Sequence, residues 1–133
     1  MPNITRTVCD TGGIFKPGSK SEFRDETLNL AGADDLLEGT ILARDSVSLK
    51  LVLYVKAGST NQNNIPKAVL PYAASFAGGD VRVRVAIKGE FIKERLVIDL
   101  DQNDSNIDGL VIDQLRAVGL TAVNAQQLAA LDP

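Results

Sequence analysis

The stretch that decides the fold runs from Glu26 to Val55 and reads ETLNLAGADDLLEGTILARDSVSLKLVLYV. It contains a short apolar run at Thr27 to Leu30, a polar turn, and a second apolar run within Gly39 to Ala43. From Leu49 to Val55, apolar residues occupy every second position. This period of two is typical of a strand with one buried face. The stretch therefore predicts three consecutive strands separated by polar turns.

Further strands are predicted downstream. Ala68 to Leu70 is a short strand, and Pro66 is expected to prevent regular pairing just before it. Val81 to Lys88 alternates, and Leu96 to Leu100 is its expected antiparallel partner. Gly89 predicts a bend or bulge, because glycine inside a strand pattern usually marks one.

The end of the chain changes to a helical period. Apolar residues recur at intervals of three and four from Ile107 to Val118, which predicts a helix ending at Gly119. Ser105 and Asp108 have capping-box spacing at its start. A second short helix is predicted from Asn124 to Leu131. Strands followed by helices indicate an α+β domain that is mainly β.

Composition excludes several classes of function. The 133 residues predict one domain, and the formal charge of −3 with scattered basic residues argues against a nucleic-acid partner. No apolar run approaches the roughly 20 residues of a membrane span, and Met1 to Asp10 lacks a secretory signal, so no membrane partner is expected. Cys9 is the only cysteine, which excludes an internal disulfide. Histidine is absent, which removes the commonest general base, the commonest zinc ligand and every Ser–His or Cys–His nucleophile arrangement. This argues against enzyme activity, and we expect no catalytic residue or cofactor.

Residues 1–24 form a region of different composition. Gly, Ser, Thr, Pro and Lys dominate, and the apolar residues follow no period. We interpret residues 1–24 as an extended N-terminal arm and residues 25–133 as the β-rich domain. The alternative is an ordinary terminal tail.

One motif matches the start of a calcium-binding loop. Asp104, Asn106, Asp108 and Gly109 fit the pattern D-x-N-x-D-G. The twelfth position should be a glutamate that closes the coordination shell, but it is Leu115 in the predicted helix. We therefore interpret the motif as a helix cap and expect no metal site.

Four carboxylates, Asp34, Asp35, Glu38 and Asp45, lie close together in the sequence. Paired carboxylates can perform acid–base chemistry. No basic or aromatic pocket is predicted around them, so solvated turns are the preferred interpretation.

The order of these elements resembles the lambda-type head decoration proteins of tailed bacteriophages. The motifs that carry the resemblance are, in order, Thr27 to Leu30, Gly39 to Ala43, Lys50 to Val55, Lys67 to Leu70, Lys88 to Phe91 and Leu115 to Leu120. The Asn-rich segment Asn61 to Asn64 departs from the family pattern.

The resemblance implies a β-clip-like fold and a homotrimer on the outer surface of an expanded icosahedral head, made in the host cytoplasm. It implies that the arm adds a strand to the major capsid protein and that the protein stabilises the shell against packaged DNA. The arm residues expected to bind the capsid are Ile4, Thr5, Thr7, Val8, Ile14 and Phe15.

Two other functions remain open at this point. The first is a carbohydrate- or receptor-binding β-domain on a virion or cell surface, although such sites usually expose aromatic residues and the chain has no Trp. The second is a small hydrolase of dUTPase-like fold, whose nucleotide and metal residues cannot be placed in this sequence.

Overall fold

The computed structural model describes residues 14–15, 20–98 and 105–123. This part of the chain contains eight strands, one α-helix and one 3-10 helix, so the fold is α+β and mainly β. The strands are β1 (Glu22–Leu30), β2 (Asp34–Leu36), β3 (Ile41–Arg44), β4 (Leu51–Leu53), β5 (Pro66–Val69), β6 (Ala74–Phe76), β7 (Gly79–Ile92) and β8 (Leu120–Val123). The 3-10 helix spans Lys93–Arg95 and the α-helix, α1, spans Gly109–Ala117.

Five strands close into a small barrel-like sheet. Neighbouring strands follow the order β1-β4-β3-β5-β7, and β7 pairs again with β1. This closing pair is antiparallel and runs from Glu22 opposite Lys88 to Leu30 opposite Gly79. β8 joins the end of β7 in parallel, and β2 pairs with β6 in a separate two-stranded sheet. Closure pairs strands that would otherwise be the edges of an open sheet.

One apolar cluster fills the inside of the closed sheet. Successive strand residues point to opposite faces, so Leu42 joins this cluster while Ile41 and Ala43 point to the outer face. In the same way, Val85 belongs to the inner cluster and Ala86 points to the outer face. The buried members of the inner cluster are Leu28, Leu30, Leu36, Leu42, Leu51, Ala68, Leu70, Val83 and Val85.

A second apolar cluster lies between the outer face of the sheet and α1. Val111 and Leu115 are the buried residues of the helix, and they pack with Ile41 and Phe91. The predicted helix is thus confirmed, but its N-cap is Asp108, whose Oδ1 accepts a hydrogen bond from the Val111 N–H at 3.1 Å. Because the sheet buries both faces here, its strands contain continuous apolar runs.

The predicted partner of β7 is wrong. β7 pairs with β1, whereas residues 93–95 form a 3-10 helix and Val97 makes a single parallel bridge with Thr40. Asp99 and Leu100 lie outside the described residues, as does the predicted second helix from Asn124 to Leu131. Alternation identifies a strand but carries no information about which strand lies next to it.

Two other strand predictions need correction. The strand predicted from Leu49 to Val55 is reduced to three residues, because Leu49 has a left-handed backbone with φ of +64°. Pro66 does not prevent pairing, since it is the first residue of β5 and lies opposite Ala43 where the register shifts. Proline cannot donate a hydrogen bond to a neighbouring strand, and it is tolerated at the first position of a strand, where the regular ladder of hydrogen bonds has not yet begun.

The irregularity predicted at Gly89 is confirmed. The register between β1 and β7 shifts between Glu22 and Phe23, so Ile87 has no direct opposite residue. Gly89 has φ of +152°, and a Cβ there would lie 2.8 Å from the Ser21 Oγ. β7 changes face beyond this shift: Val85 and Ile87 pack with the inner cluster, Phe91 packs in the outer cluster, and Gly89 lies between them.

Replacing Gly39 should destabilise the domain. Gly39 has φ of +93°, and an added Cβ would overlap the carbonyl oxygen of Arg95. We expect Gly39→Ala to lower the free energy of unfolding by about 2 kcal/mol or more, measured by urea unfolding. Gly32→Ala is the matched control, because no atom lies within 4 Å of the added Cβ. Equal unfolding midpoints for the two variants would contradict this account.

Candidate functional site

Ile14 and Phe15 attach the N-terminal segment to the end of β7, and we call this pair the anchor. Ile14 is fully buried in the outer cluster, and its carbonyl oxygen accepts a hydrogen bond from the Ile92 N–H at 2.7 Å. Phe15 lies opposite Phe91 in an isolated antiparallel bridge. The chain at Ile14 and Phe15 is therefore fixed to the end of β7.

An aromatic cluster surrounds the anchor. The Phe15 and Phe91 rings are tilted with centroids 5.0 Å apart, and Phe15 meets Phe23 edge to face at 5.7 Å. The Arg84 guanidinium carbon lies 5.2 Å from the centroid of the Phe23 ring, which is 37% exposed. Aromatic and cation–π contacts of this kind each contribute about 0.5–1.5 kcal/mol, so the cluster holds the anchor against the sheet.

The anchor also meets two of the motifs that carry the phage resemblance. Gly89 of the Lys88 to Phe91 motif lies opposite Leu120, the last residue of the Leu115 to Leu120 motif. The Gly89 N–H donates to the Gly119 carbonyl oxygen at 3.2 Å. Two motifs separated in sequence therefore form one structural unit beside the N-terminal segment.

The anchor changes the expected boundary of the arm. Ile14 and Phe15 were expected to bind the capsid as part of an extended arm, but in this structure they pack in the domain. Residues 22–24 likewise belong to β1, because Glu22 and Phe23 pair with β7. The other predicted capsid-binding residues, Ile4, Thr5, Thr7 and Val8, lie outside the described residues. Ile14, Phe15 and residues 22–24 therefore belong to the described domain.

The four carboxylates singled out in the sequence serve different local roles. Asp34 and Asp35 belong to β2. Partial burial raises the pKa of Glu38, with Arg95 opposing the shift. Backbone N–H donors from Ser48 and Val47 lower the pKa of Asp45. No group of three or more acidic or cysteine side chains is placed to hold a metal ion within residues 14–15, 20–98 and 105–123.

The calcium-like motif forms a helix cap. Beyond capping α1, Asp108 accepts a hydrogen bond from Lys56 Nζ to Oδ2 at 2.6 Å, and Lys56 also donates to the Asn106 carbonyl oxygen at 3.1 Å. These contacts, with Lys56 as the largest cause, lower the pKa of Asp108. The capping interpretation is confirmed for Asp108, while Asp104 lies outside the described residues.

A second exposed feature is the turn between β3 and β4, and we call residues 45–50 the tip. Asp45 Oδ1 accepts hydrogen bonds from the N–H groups of Val47 and Ser48 at 2.8 and 2.9 Å. Val47 is 76% exposed and Leu49 is 65% exposed. The left-handed backbone of Leu49 costs about 1–2 kcal/mol relative to an ordinary conformation. The sequence predicted a polar turn here, but it placed Leu49 on the buried face of the following strand, so the exposure of Leu49 was missed.

Arg44 connects the tip to β1. Its Nη1 donates to the Leu49 carbonyl oxygen at 2.8 Å and to Glu26 Oε1 at 3.3 Å, and its Nη2 donates to Glu26 Oε2 at 2.9 Å. The Glu26 side chain is only 15% exposed. A two-point arginine–carboxylate contact fixes orientation as well as charge, so the tip has a defined position relative to the closed sheet.

Comparison of the sequence with protein-family models and with curated proteins finds no match. Among the described residues, no helix has the length and apolar character needed to cross a membrane. The functional assignment therefore depends on the motifs quoted above and on where the fold brings them together.

Removing the Glu26 charge should change the acid sensitivity of the domain. The Arg44 hydrogen bonds lower the pKa of Glu26 from its ordinary value of 4.5. A lowered native pKa contributes stability above the unfolded-state pKa, and this contribution is lost as the pH falls through the native pKa. We expect Glu26→Gln to unfold more easily at pH 7 and to lose less stability below pH 4.5, measured by urea unfolding across this range.

Asp113→Asn provides the control for that experiment. Asp113 pairs with Arg116 at 2.7 Å on the exposed face of α1, and both side chains are largely exposed. Exposed pairs contribute little, so this variant should unfold in urea almost as the wild type does. A Glu26→Gln variant that also behaved as the wild type throughout the pH range would show that the Arg44 contact has no role in acid stability.

Calcium should not stabilise the protein. The Asp108 carboxylate already caps α1 and binds Lys56, and the twelfth position of the motif, Leu115, is buried. A ligand at 100 times its dissociation constant would stabilise the fold by about 2.7 kcal/mol. We expect no melting shift between calcium and chelator, whereas Asp108→Ala should lower the melting temperature in both conditions. A calcium-dependent rise of the predicted size would disprove the cap interpretation.

Proposed function

We propose that this protein is a structural virion protein that binds as a homotrimer to the outside of an expanded icosahedral phage head. It contacts the major capsid protein and stabilises the shell against internal DNA pressure. The observation that carries the proposal is the ordered set of decoration-protein motifs. It is supported by the contact of two of these motifs, through Gly89, Gly119 and Leu120, at the point where the N-terminal segment is anchored. The fold we propose is accordingly the β-clip type of that family.

In this proposal the segment before Ile14 is the capsid-binding arm. Its composition, with β-branched residues such as Ile4, Thr5, Thr7 and Val8, suits an added strand on the capsid protein. Residues 1–13 span at most about 45 Å when fully extended. Ile14 is buried and its carbonyl oxygen accepts a hydrogen bond from the Ile92 N–H. The proposed arm therefore starts at a fixed point on the domain, so its full length is available to reach the capsid protein.

A trimer with three arms can bind the head firmly even if each arm binds weakly. Ordering each arm residue costs about 1–2 kcal/mol of backbone entropy, so one arm alone should bind weakly. When one arm of a trimer docks, the other two are held close to their own sites. The resulting gain in avidity is about 10²- to 10⁴-fold and needs no new contact.

The arm can be tested by truncation at the boundary that the anchor defines. We expect deletion of residues 1–13 to abolish co-sedimentation with expanded heads while leaving the domain folded, because Ile14 and β1 are retained. Circular dichroism and mass in solution are the folding controls. A truncated trimer that still decorates heads with unchanged affinity would show that binding resides on the folded domain.

A matched pair of substitutions tests strand addition itself. Thr5→Pro removes a backbone N–H and should weaken head binding, whereas Thr5→Ala keeps that N–H and should have a smaller effect. The same comparison at Thr7 tests a second N–H along the same strand. Equal binding by the proline and alanine variants at both positions would exclude an added strand that uses these N–H groups.

A further inference from the structure

Three carboxylates hold the tip, one from inside the turn and two from neighbouring strands. Inside the turn, Asp45 Oδ1 accepts hydrogen bonds from the Val47 and Ser48 N–H groups. Its Oδ2 accepts another hydrogen bond from the Asn61 side-chain amide at 3.3 Å. The Asp45 carboxylate therefore shapes the turn and joins it to the loop that follows β4.

The other two carboxylates act through cationic side chains. Glu26 on β1 binds the Arg44 guanidinium, which also donates to the Leu49 carbonyl oxygen at 2.8 Å. Asp80 on β7 accepts a hydrogen bond from Lys50 Nζ at 2.6 Å. The tip is thus attached to both strands of the closing β1–β7 pair, each time through a cation and a carboxylate.

Apolar burial contributes little to the position of the tip. Val47 and Leu49 are exposed, and the left-handed backbone of Leu49 opposes this conformation. Backbone hydrogen bonds close the turn, from the Asp45 N–H to the Lys50 carbonyl oxygen and from the Leu49 N–H to the Asp45 carbonyl oxygen, both at 2.9 Å. These bonds close the turn, whereas its side-chain contacts with β1 and β7 depend on charge.

The surroundings of Glu26 and Asp45 favour the ionised form of both groups. The Arg44 hydrogen bond is the largest cause that lowers the pKa of Glu26, and the charges of Arg44 and Arg24 act in the same direction. The residue opposite Glu26 on β7 is apolar. The pKa of Asp45 is lowered by uncharged donors, of which the Ser48 N–H is the largest cause.

Asp80 is stabilised as an anion in the same way. The hydrogen bond from Lys50 is the largest cause that lowers its pKa, followed by the hydrogen bond from the Asn29 side chain at 2.7 Å. A lowered native pKa contributes stability above the unfolded-state pKa, and this contribution is lost as the pH falls through the native pKa. All three contacts are therefore present at pH 7 and are lost below the ordinary values of 4.5 for Glu26 and 3.8 for Asp45 and Asp80.

We propose that the tip is an acid-sensitive element, which protonation of Glu26, Asp45 and Asp80 releases from β1 and β7 while the rest of the domain stays folded. In the described part of the chain, the two clusters that hold the closed sheet and α1 are built from aliphatic and aromatic side chains, whose burial does not depend on these charges. The tip therefore loosens at a higher pH than the domain unfolds. This inference does not depend on the proposed function, because it concerns the isolated chain.

Native-state hydrogen exchange of the wild type tests the release directly. The reporters are the Val47, Ser48 and Leu49 N–H groups, and the N–H groups of β7 are the internal reference. Each rate is divided by that of an unfolded peptide at the same pH. We expect protection of the tip to fall about tenfold or more between pH 7 and pH 3 while β7 stays protected. Protection of the tip that persists at pH 3, or that disappears only together with that of β7, would overturn the proposal.

Neutral variants should reproduce the acid state at pH 7. Glu26→Gln, Asp45→Asn and Asp80→Asn keep the shape of each side chain but remove its charge, and charge-assisted hydrogen bonds are about twice as strong as neutral ones. We expect the triple variant to have at pH 7 the low tip protection that the wild type reaches at pH 3. Asp113→Asn is the matched control, because Asp113 pairs with Arg116 on α1, and its tip should behave as in the wild type.

The single variants keep the test decisive if the triple variant does not fold. Glu26→Gln should lower the protection of the Leu49 N–H, and Asp45→Asn should lower that of Val47 and Ser48. Circular dichroism and urea unfolding show whether each variant is folded. Wild-type tip protection at pH 7 in a folded triple variant, or in all three single variants, would contradict the role assigned to the carboxylates.

Discussion

The antiparallel pairing of β1 with β7 is the constraint on which the rest of the structure depends. It closes the sheet from Glu22 opposite Lys88 to Leu30 opposite Gly79. Closure encloses the inner cluster, and it makes the opposite face of the same strands a platform for α1 and the anchor. Without this pair, β1 would be an edge strand and Leu28 would lose its place in the inner cluster.

The bulge near Gly89 allows one long strand to serve both clusters. Val83 and Val85 point into the closed sheet, whereas Phe91 belongs to the outer cluster with Ile14. A strand without this irregularity would direct Phe91 to the same face as Val85. The position of the anchor, and with it the origin of the proposed arm, therefore depends on a local change of register.

The strands and the helix were predictable where one local pattern decides them, as in the alternation of Val81 to Lys88 and the stripe from Ile107 to Val118. The choice of strand partners was not predictable, because β1 and β7 are distant in sequence. Leu96 to Leu100 has an alternating pattern that made it an equally plausible partner for β7. The polar turn before β4 was predicted, but the exposure of Leu49 was not, since alternation cannot reveal its left-handed backbone. Ile14 and Phe15 gave no periodic signal, because a two-residue contact is too short to show one.

The separation between β1 and β7 also governs the order in which the molecule can assemble. Leu30 and its partner Gly79 are about 50 residues apart, and closing such a long loop makes folding slow compared with that of helical domains. On the ribosome, β1 emerges long before β7, so the sheet cannot close until most of the chain has been synthesised. The bond between Ile14 and Ile92 needs the last residue of β7, so it cannot form before that strand has been synthesised. Ile14 is thus made early but can be fixed in place only once β7 is complete.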